Sequence, residues 1–186
     1  ADHTPHPTSR RYVYRLPMSP IPGQATASAG GRSFDLTARI TRHDGDEGVI
    51  WATGTENSGI SVFVQDGRLV VDYNAFDDHT VVESDRPVPT GDVELHVRLE
   101  RDSRTTGRCE IAIDGEPAGR ADIAFYMRMI SSVGASVGYD HGSPVSTRYT
   151  APFPFTGTLH EVVIQLPQKR DAADVAAAQR AEMSRQ

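Results

Sequence analysis

"SVFVQDGRLVVDY", residues 61–73, is two runs rich in β-branched and aromatic residues joined by Asp66-Gly67. An Asp-Gly pair accepts the positive φ values of a two-residue hairpin turn, so this stretch predicts two antiparallel strands meeting at one tight corner. "CEIAIDGEPAG" (109–119) repeats the device at Asp114-Gly115. Outward from these hairpins the period stays at two. In "SFDLTARI" Phe34, Leu36, Ala38 and Ile40 share a face, and in "VELHVRLER" Val93, Leu95, Val97 and Leu99 do the same. Further strands are predicted at 48–54, 79–84, 133–139 and 156–166. No helical pattern separates them, which excludes alternating β and α units and predicts an all-β antiparallel sandwich.

The ends read differently. Residues 1–32 hold five prolines and many small residues, an extended connector with one short strand, "RYVYR", inside it. Residues 33–166 form the sandwich domain. In 167–186, "DAADVAAAQRAEMSRQ" offers Asp171 as an N-cap ahead of strong helix formers, so a C-terminal helix is predicted.

A chain of 186 residues is long enough to bury one core without staples. Nineteen basic residues against twenty-five acidic ones give a net charge of −6. That disfavours nucleic acid and other polyanions, which need a concentrated positive footprint. No apolar run is long enough to span a membrane and the first residues carry no apolar signal core, so no membrane partner is expected. The lone Cys109 is read as a small core hydrophobe in a reducing, cytoplasmic setting. The absence of an initiator methionine is read as the mark of a processed or excised fragment.

"GASVG" around Ser136, with Asp140 and His141 behind it, has the form of a hydrolase nucleophile elbow. An elbow needs a helix to follow its serine, and Gly142 and Pro144 prevent one, so Ser136 is read as a small strand residue. Glycosidase-type carboxylates must share a face about 5–9 Å apart. Glu110 and Asp114 are too far apart along a strand, and Asp92 and Glu94 read as solvated residues at a strand start. "HDGDEG" (43–48) and "FDDHT" (76–80) read as turns rather than calcium loops. His3 and His6 have no partner at zinc spacing. Arg98, Arg101, Arg104 and Arg108 form a basic cluster interrupted by Glu100 and Asp102, the pattern of a solvated hairpin. Trp51, Phe63, Tyr73 and Phe76 are candidates for a sugar platform, with a place in the core as the alternative.

"GYDHGSPVSTRYTAPFPFTGTLHEVVIQL" (138–166) resembles the end of bacterial arylsulfatases that carry a C-terminal concanavalin A-like jelly-roll domain. Matching elements run upstream in order: "EGVIWATG", "SVFVQDGRLVVDYNAF", "TVVESDRPVPTGDVELHVRLERD" and "IDGEPAG". The resemblance covers about residues 11–166. It implies a jelly roll and a non-catalytic accessory domain, with a sulfatase catalytic domain in the same polypeptide as partner. A homo-oligomer contact is a further role such a domain could serve. It implies no cofactor in this chain, because formylglycine and calcium belong to the catalytic domain alone. The formylglycine signature is missing here: Cys109 is followed by Glu110, Ile111, Ala112 and Ile113. Ile60 also stands where family members often show an aromatic residue.

Asp140, Ser143, Pro152, Phe153 and Phe155 are the residues expected to form a domain contact or a core loop. Phe153 and Phe155 alternate around Pro154, which lets both point the same way from an extended segment. The alternative function is an independent carbohydrate-binding, lectin-like module. The two readings differ in surface: an accessory domain exposes an apolar patch for its partner, whereas a lectin presents a groove with convergent polar groups.

Overall fold

Both Asp-Gly pairs turn as their chemistry requires. Asp66 and Gly67 have φ of 52° and 76°, and Asp114 and Gly115 have 50° and 81°. A third corner of the same kind has no glycine: Phe76 and Asp77 take φ of 53° and 70°. The computed structural model that shows these turns describes residues 11–15, 33–124 and 135–165.

Eleven strands follow one another without a helix among the described residues: β1 (Arg11–Tyr14), β2 (Phe34–Arg42), β3 (Gly48–Gly54), β4 (Ser58–Gln65), β5 (Arg68–Ala75), β6 (Asp78–Glu83), β7 (Gly91–Arg101), β8 (Gly107–Ile113), β9 (Glu116–Ile123), β10 (Ala135–Val137) and β11 (Thr158–Gln165). They form a six-stranded sheet, β1-β11-β2-β7-β8-β9, and a five-stranded sheet, β10-β3-β4-β5-β6. Every ladder is antiparallel. The chain is therefore an all-β sandwich of two antiparallel sheets. The strand expected inside the connector is paired into it, with Arg11 opposite Gln165 and Tyr14 opposite Val162. The predicted C-terminal helix and the rest of the connector lie outside the described residues.

Alternation builds the core. Phe34, Leu36, Ala38 and Ile40 of β2, and Val93, Leu95, Val97 and Leu99 of β7, all turn inward to meet Ile60, Val62, Val64, Leu69, Val71 and Tyr73 of the opposite sheet. Trp51 lies fully buried against Phe34, their ring centroids 5.9 Å apart. Cys109 is buried too, and burial pushes its thiol up to about 12, which keeps it neutral and inert. Of the four aromatics proposed for a sugar platform, Trp51, Phe63 and Tyr73 are core residues. Phe76 alone stands out, 67% exposed at its hairpin corner.

Candidate functional site

The two outer faces have opposite fates. On the five-stranded sheet Val49, Ala52, Phe63 and Val70 point away from the main core, yet all are fully buried. The loop between β10 and β11 covers them. Tyr149 packs edge-on against Phe63 at 5.0 Å, Phe153 stacks on Tyr149 at 5.1 Å, and Val81 closes the side.

Polar groups bolt this loop down. Asp140 is buried, and its Oδ2 accepts hydrogen bonds from the Val145 amide at 2.9 Å and from the Tyr149 hydroxyl. Tyr149 OH also lies 2.8 Å from Ser61 Oγ. Burial raises the Asp140 carboxyl above its ordinary value, although the Tyr149 and Val145 hydrogen bonds work against the rise. Burial likewise lifts Tyr149, and the Asp140 carboxylate beside it adds to the effect. Ser143 Oγ accepts from the Glu56 amide at 3.1 Å, tying the loop to the β3–β4 turn. The Asp140 amide donates to Pro152 O at 2.8 Å, and the Val49 amide to Phe153 O at 2.8 Å. Gly48 makes that contact possible: a Cβ there would lie 2.2 Å from Pro154 O.

The two phenylalanines do not point the same way. Phe153 joins the outer cluster, whereas Phe155 packs against the main core. The segment is not uniformly extended, because Phe153 has a φ of 42° and turns the chain between the two rings. Asp140, Ser143, Pro152, Phe153 and Phe155 thus come together as parts of one plug, on which the chain folds back over itself.

Beside the plug lies a second buried polar pair. Asp72 is 1% exposed, and its Oδ1 lies 2.8 Å from His79 Nδ1, while His79 Nε2 faces Asp77 at 3.4 Å. Burial opposes a charge on His79, but the two carboxylates outweigh it and raise the ring above its ordinary value.

The hydrolase-like serine is occupied. Ser136 is buried, donates from Oγ to Tyr139 O at 2.6 Å and accepts from the His141 amide at 3.1 Å. It braces the turn that follows β10, with its hydroxyl engaged by two backbone groups. The turn "HDGDEG" also closes on itself, with Asp46 Oδ2 accepting from the His43 amide. Among the described residues no group of three His, Cys, Asp or Glu is arranged to hold a metal ion, and no helix is long and apolar enough to cross a membrane.

The outer face of the six-stranded sheet carries no such plug among the described residues. Most of its side chains are charged or hydrogen-bonding, namely Asp35, Thr37 and Arg39 on β2, Glu94, His96 and Arg98 on β7, Glu110 on β8 and Arg120 on β9, with Val13, Val163, Ala112 and Pro117 among them. Asp35 pairs with Arg98 at 2.9 Å and His96 at 3.3 Å. Partial burial works to raise the Asp35 carboxyl, but these two partners hold it below the usual range. Arg39 meets Glu161 at 3.0 Å. Two clefts of about 440 Å³ open here. One lies among Arg39, Asp92, Glu94, Asp114 and His160. The other lies among His96, Arg98, Glu110, Ala112, Pro117 and Arg120. Sequence reasoning read Arg98 as part of a solvated hairpin and Asp92 and Glu94 as solvated residues at a strand start, and singled out none of Asp35, Arg39, His96, Arg120 or His160; only the register across strands unites them.

No family model matches the chain, and no curated protein matches it in sequence. Solved structures match in fold. The NanB sialidase of Streptococcus pneumoniae superposes with a TM-score of 0.60 at 12% identity, over 92% of this chain and 28% of its own. The LG1-3 region of the laminin alpha2 chain gives 0.51 at 11% identity, over 83% and 30%. Domains LG4-5 of the mouse laminin alpha1 chain give 0.50 at 15% identity, over 88% and 42%. The fold is a concanavalin A-like, laminin G-type jelly roll. The chain spans less than half the length of each of these neighbours. None of the three is a sulfatase, and the arylsulfatase resemblance gains no support from them.

Proposed function

We propose that this jelly roll is a non-catalytic binding module, and that its ligand is a carbohydrate held on the open outer face of the six-stranded sheet. One contrast carries the reading: among the described residues, the chain seals one sheet with its own loop and leaves the other open, cleft and largely polar. A volume near 440 Å³ suits a small ligand segment. Side chains that mix donors and acceptors suit hydroxyl groups, each of which does both.

The accessory-domain reading fits less well. It calls for an apolar patch, and among the described residues the exposed large hydrophobics are Val13 and Phe76, which lie on different sheets. Phe153 and Phe155, the rings suited to docking, face inward. The motif that carries the arylsulfatase resemblance is accounted for by the plug without a partner.

The test is to map backbone amide shifts while titrating the chain with a panel of neutral oligosaccharides. Shifts are expected at residues 35–41, 92–98 and 110–120. Shifts confined to 138–157 and the five-stranded sheet, or turnover of the glycan, would overturn the proposal.

A further inference from the structure

The register of the six-stranded sheet lines up one row free of Asp, Glu, Lys and Arg between two charged ones. Val13 lies opposite Val163, Val163 opposite Thr37, Thr37 opposite His96, His96 opposite Ala112, and Ala112 opposite Pro117. The row crosses all six strands. Its interior members face outward, because their neighbours Leu36, Ala38, Leu95, Val97, Ile111 and Ile113 are all core residues. On one side runs Asp35, Arg98, Glu110, Arg120, each opposite the next, two residues along β2, β7 and β8 and three along β9, where the register shifts between Ile111 and Ala112. Two residues along on the other side runs Glu161, Arg39, Glu94.

Val163, Thr37 and Ala112 are short beside the long side chains of the flanking rows, and His96 leans on Asp35 at 3.3 Å, so the row forms the floor of a shallow trough that takes in the cleft at His96, Ala112 and Pro117. Five strand spacings give it a length of about 24 Å, and four residues of rise separate its banks by about 13 Å. Those dimensions suit a single polymer chain laid across the strands, at roughly one sugar unit per strand.

The banks also state what kind of polymer. Their charges alternate and compensate one another: Arg98 with Asp35 at 2.9 Å, Arg39 with Glu161 at 3.0 Å, Arg120 with Glu110 at 3.9 Å. A polyanion would meet four carboxylates, Asp35, Glu110, Glu161 and Glu94, against the three guanidinium groups of Arg98, Arg120 and Arg39, and gain nothing net. An extended peptide crossing a sheet face would find no ladder partners for its amides. Hydroxyl groups, by contrast, can donate to the carboxylates and accept from the arginines in turn.

We propose that the trough floored by Val163, Thr37, His96 and Ala112 binds a neutral, linear oligosaccharide running perpendicular to the strands. This rests on the open-face reading above and goes beyond it in site, orientation and charge of the ligand.

The experiment is titration calorimetry of the full chain with linear gluco-, xylo- and manno-oligosaccharides of increasing length, beside their sulfated and uronic counterparts. Affinity is expected to rise up to about five or six units and then level off, as the trough fills. It should change little between about 0.05 and 0.5 M salt, because no net charge is neutralised. Thr37→Trp and, independently, Ala112→Trp should each weaken binding at least about tenfold while the thermal midpoint is kept. A preference for sulfated or uronic chains with steep salt dependence would overturn the proposal. So would binding lost in His160→Ala but kept in Thr37→Trp, which moves the ligand to the neighbouring cleft and leaves the open-face reading standing. A concentration-dependent dimer dispersed by Thr37→Trp would put a second copy in the trough instead. Binding that begins only when residues 167–186 are deleted would assign the trough to that segment. No binding by any glycan would sink both readings together.

Discussion

Phe155 and Phe153 show how one residue's backbone decides two rings' work. Each is partly buried on a different cluster, so each should cost the isolated chain stability when truncated. Phe155→Ala is expected to lose about 3 kcal/mol in urea unfolding, and Phe153→Ala a comparable amount. An unchanged midpoint for either would mean that the ring leaves its cluster in solution. Phe76 poses the reverse case. A bulky residue at φ 53° is strained, and here it is also the most exposed large hydrophobic among the described residues. Phe76→Asn should therefore stabilise the chain by about 1 kcal/mol, since asparagine accepts the left-handed region. A fall in thermal midpoint would show that the ring makes up its strain through contacts. The sequence marked "FDDHT" as a turn, but not as a two-residue corner with both φ positive, because such a corner is recognised by its glycine and this one has none. Ser136 was legible for the opposite reason: Gly142 and Pro144 ruled out the helix that a nucleophile needs.

Elements were legible where alternation is local. β2, β4, β5, β7 and β8 could be placed from their own residues, since two-residue periodicity needs no knowledge of neighbours. The plug was not, because Tyr149 and Phe153 sit among prolines, glycine and polar residues with no period to read. The trough was less legible still, as it exists only once six separate strands are set in register. Within the β5–β6 hairpin, His79 links element to pH. Its folded pKa is raised by Asp72 and Asp77 despite burial, so the pair's contribution is fully present below the unfolded value of about 6.5. It is lost as pH rises through the higher folded value. The urea midpoint should accordingly decline above about pH 6.5, and His79→Gln should flatten the decline. A midpoint that rises over the same interval would refute the assignment.

At the scale of the whole molecule, both sheets share one continuous core, from Tyr14 near one end of the described chain to Ile164 near the other. One core predicts one transition. Circular dichroism should show a β-type spectrum melting in a single cooperative step, with near- and far-ultraviolet signals coincident. Two separable transitions would mean that the sheets fold as independent layers. Nearly all of the pairing outside the hairpins is between distant residues, as with β1 on β11 and β10 on β3, so refolding should fall in the slow, millisecond-to-second range of β-sandwiches. The β1–β11 ladder has a topological consequence as well. Arg11 and Gln165 sit across from each other, so the first and last described strands bring their outer ends within about 5 Å at one doorway. A unit with such a doorway can be spliced into a surface loop of a host protein without prising apart the host residues on either side. It would hang there as a pendant.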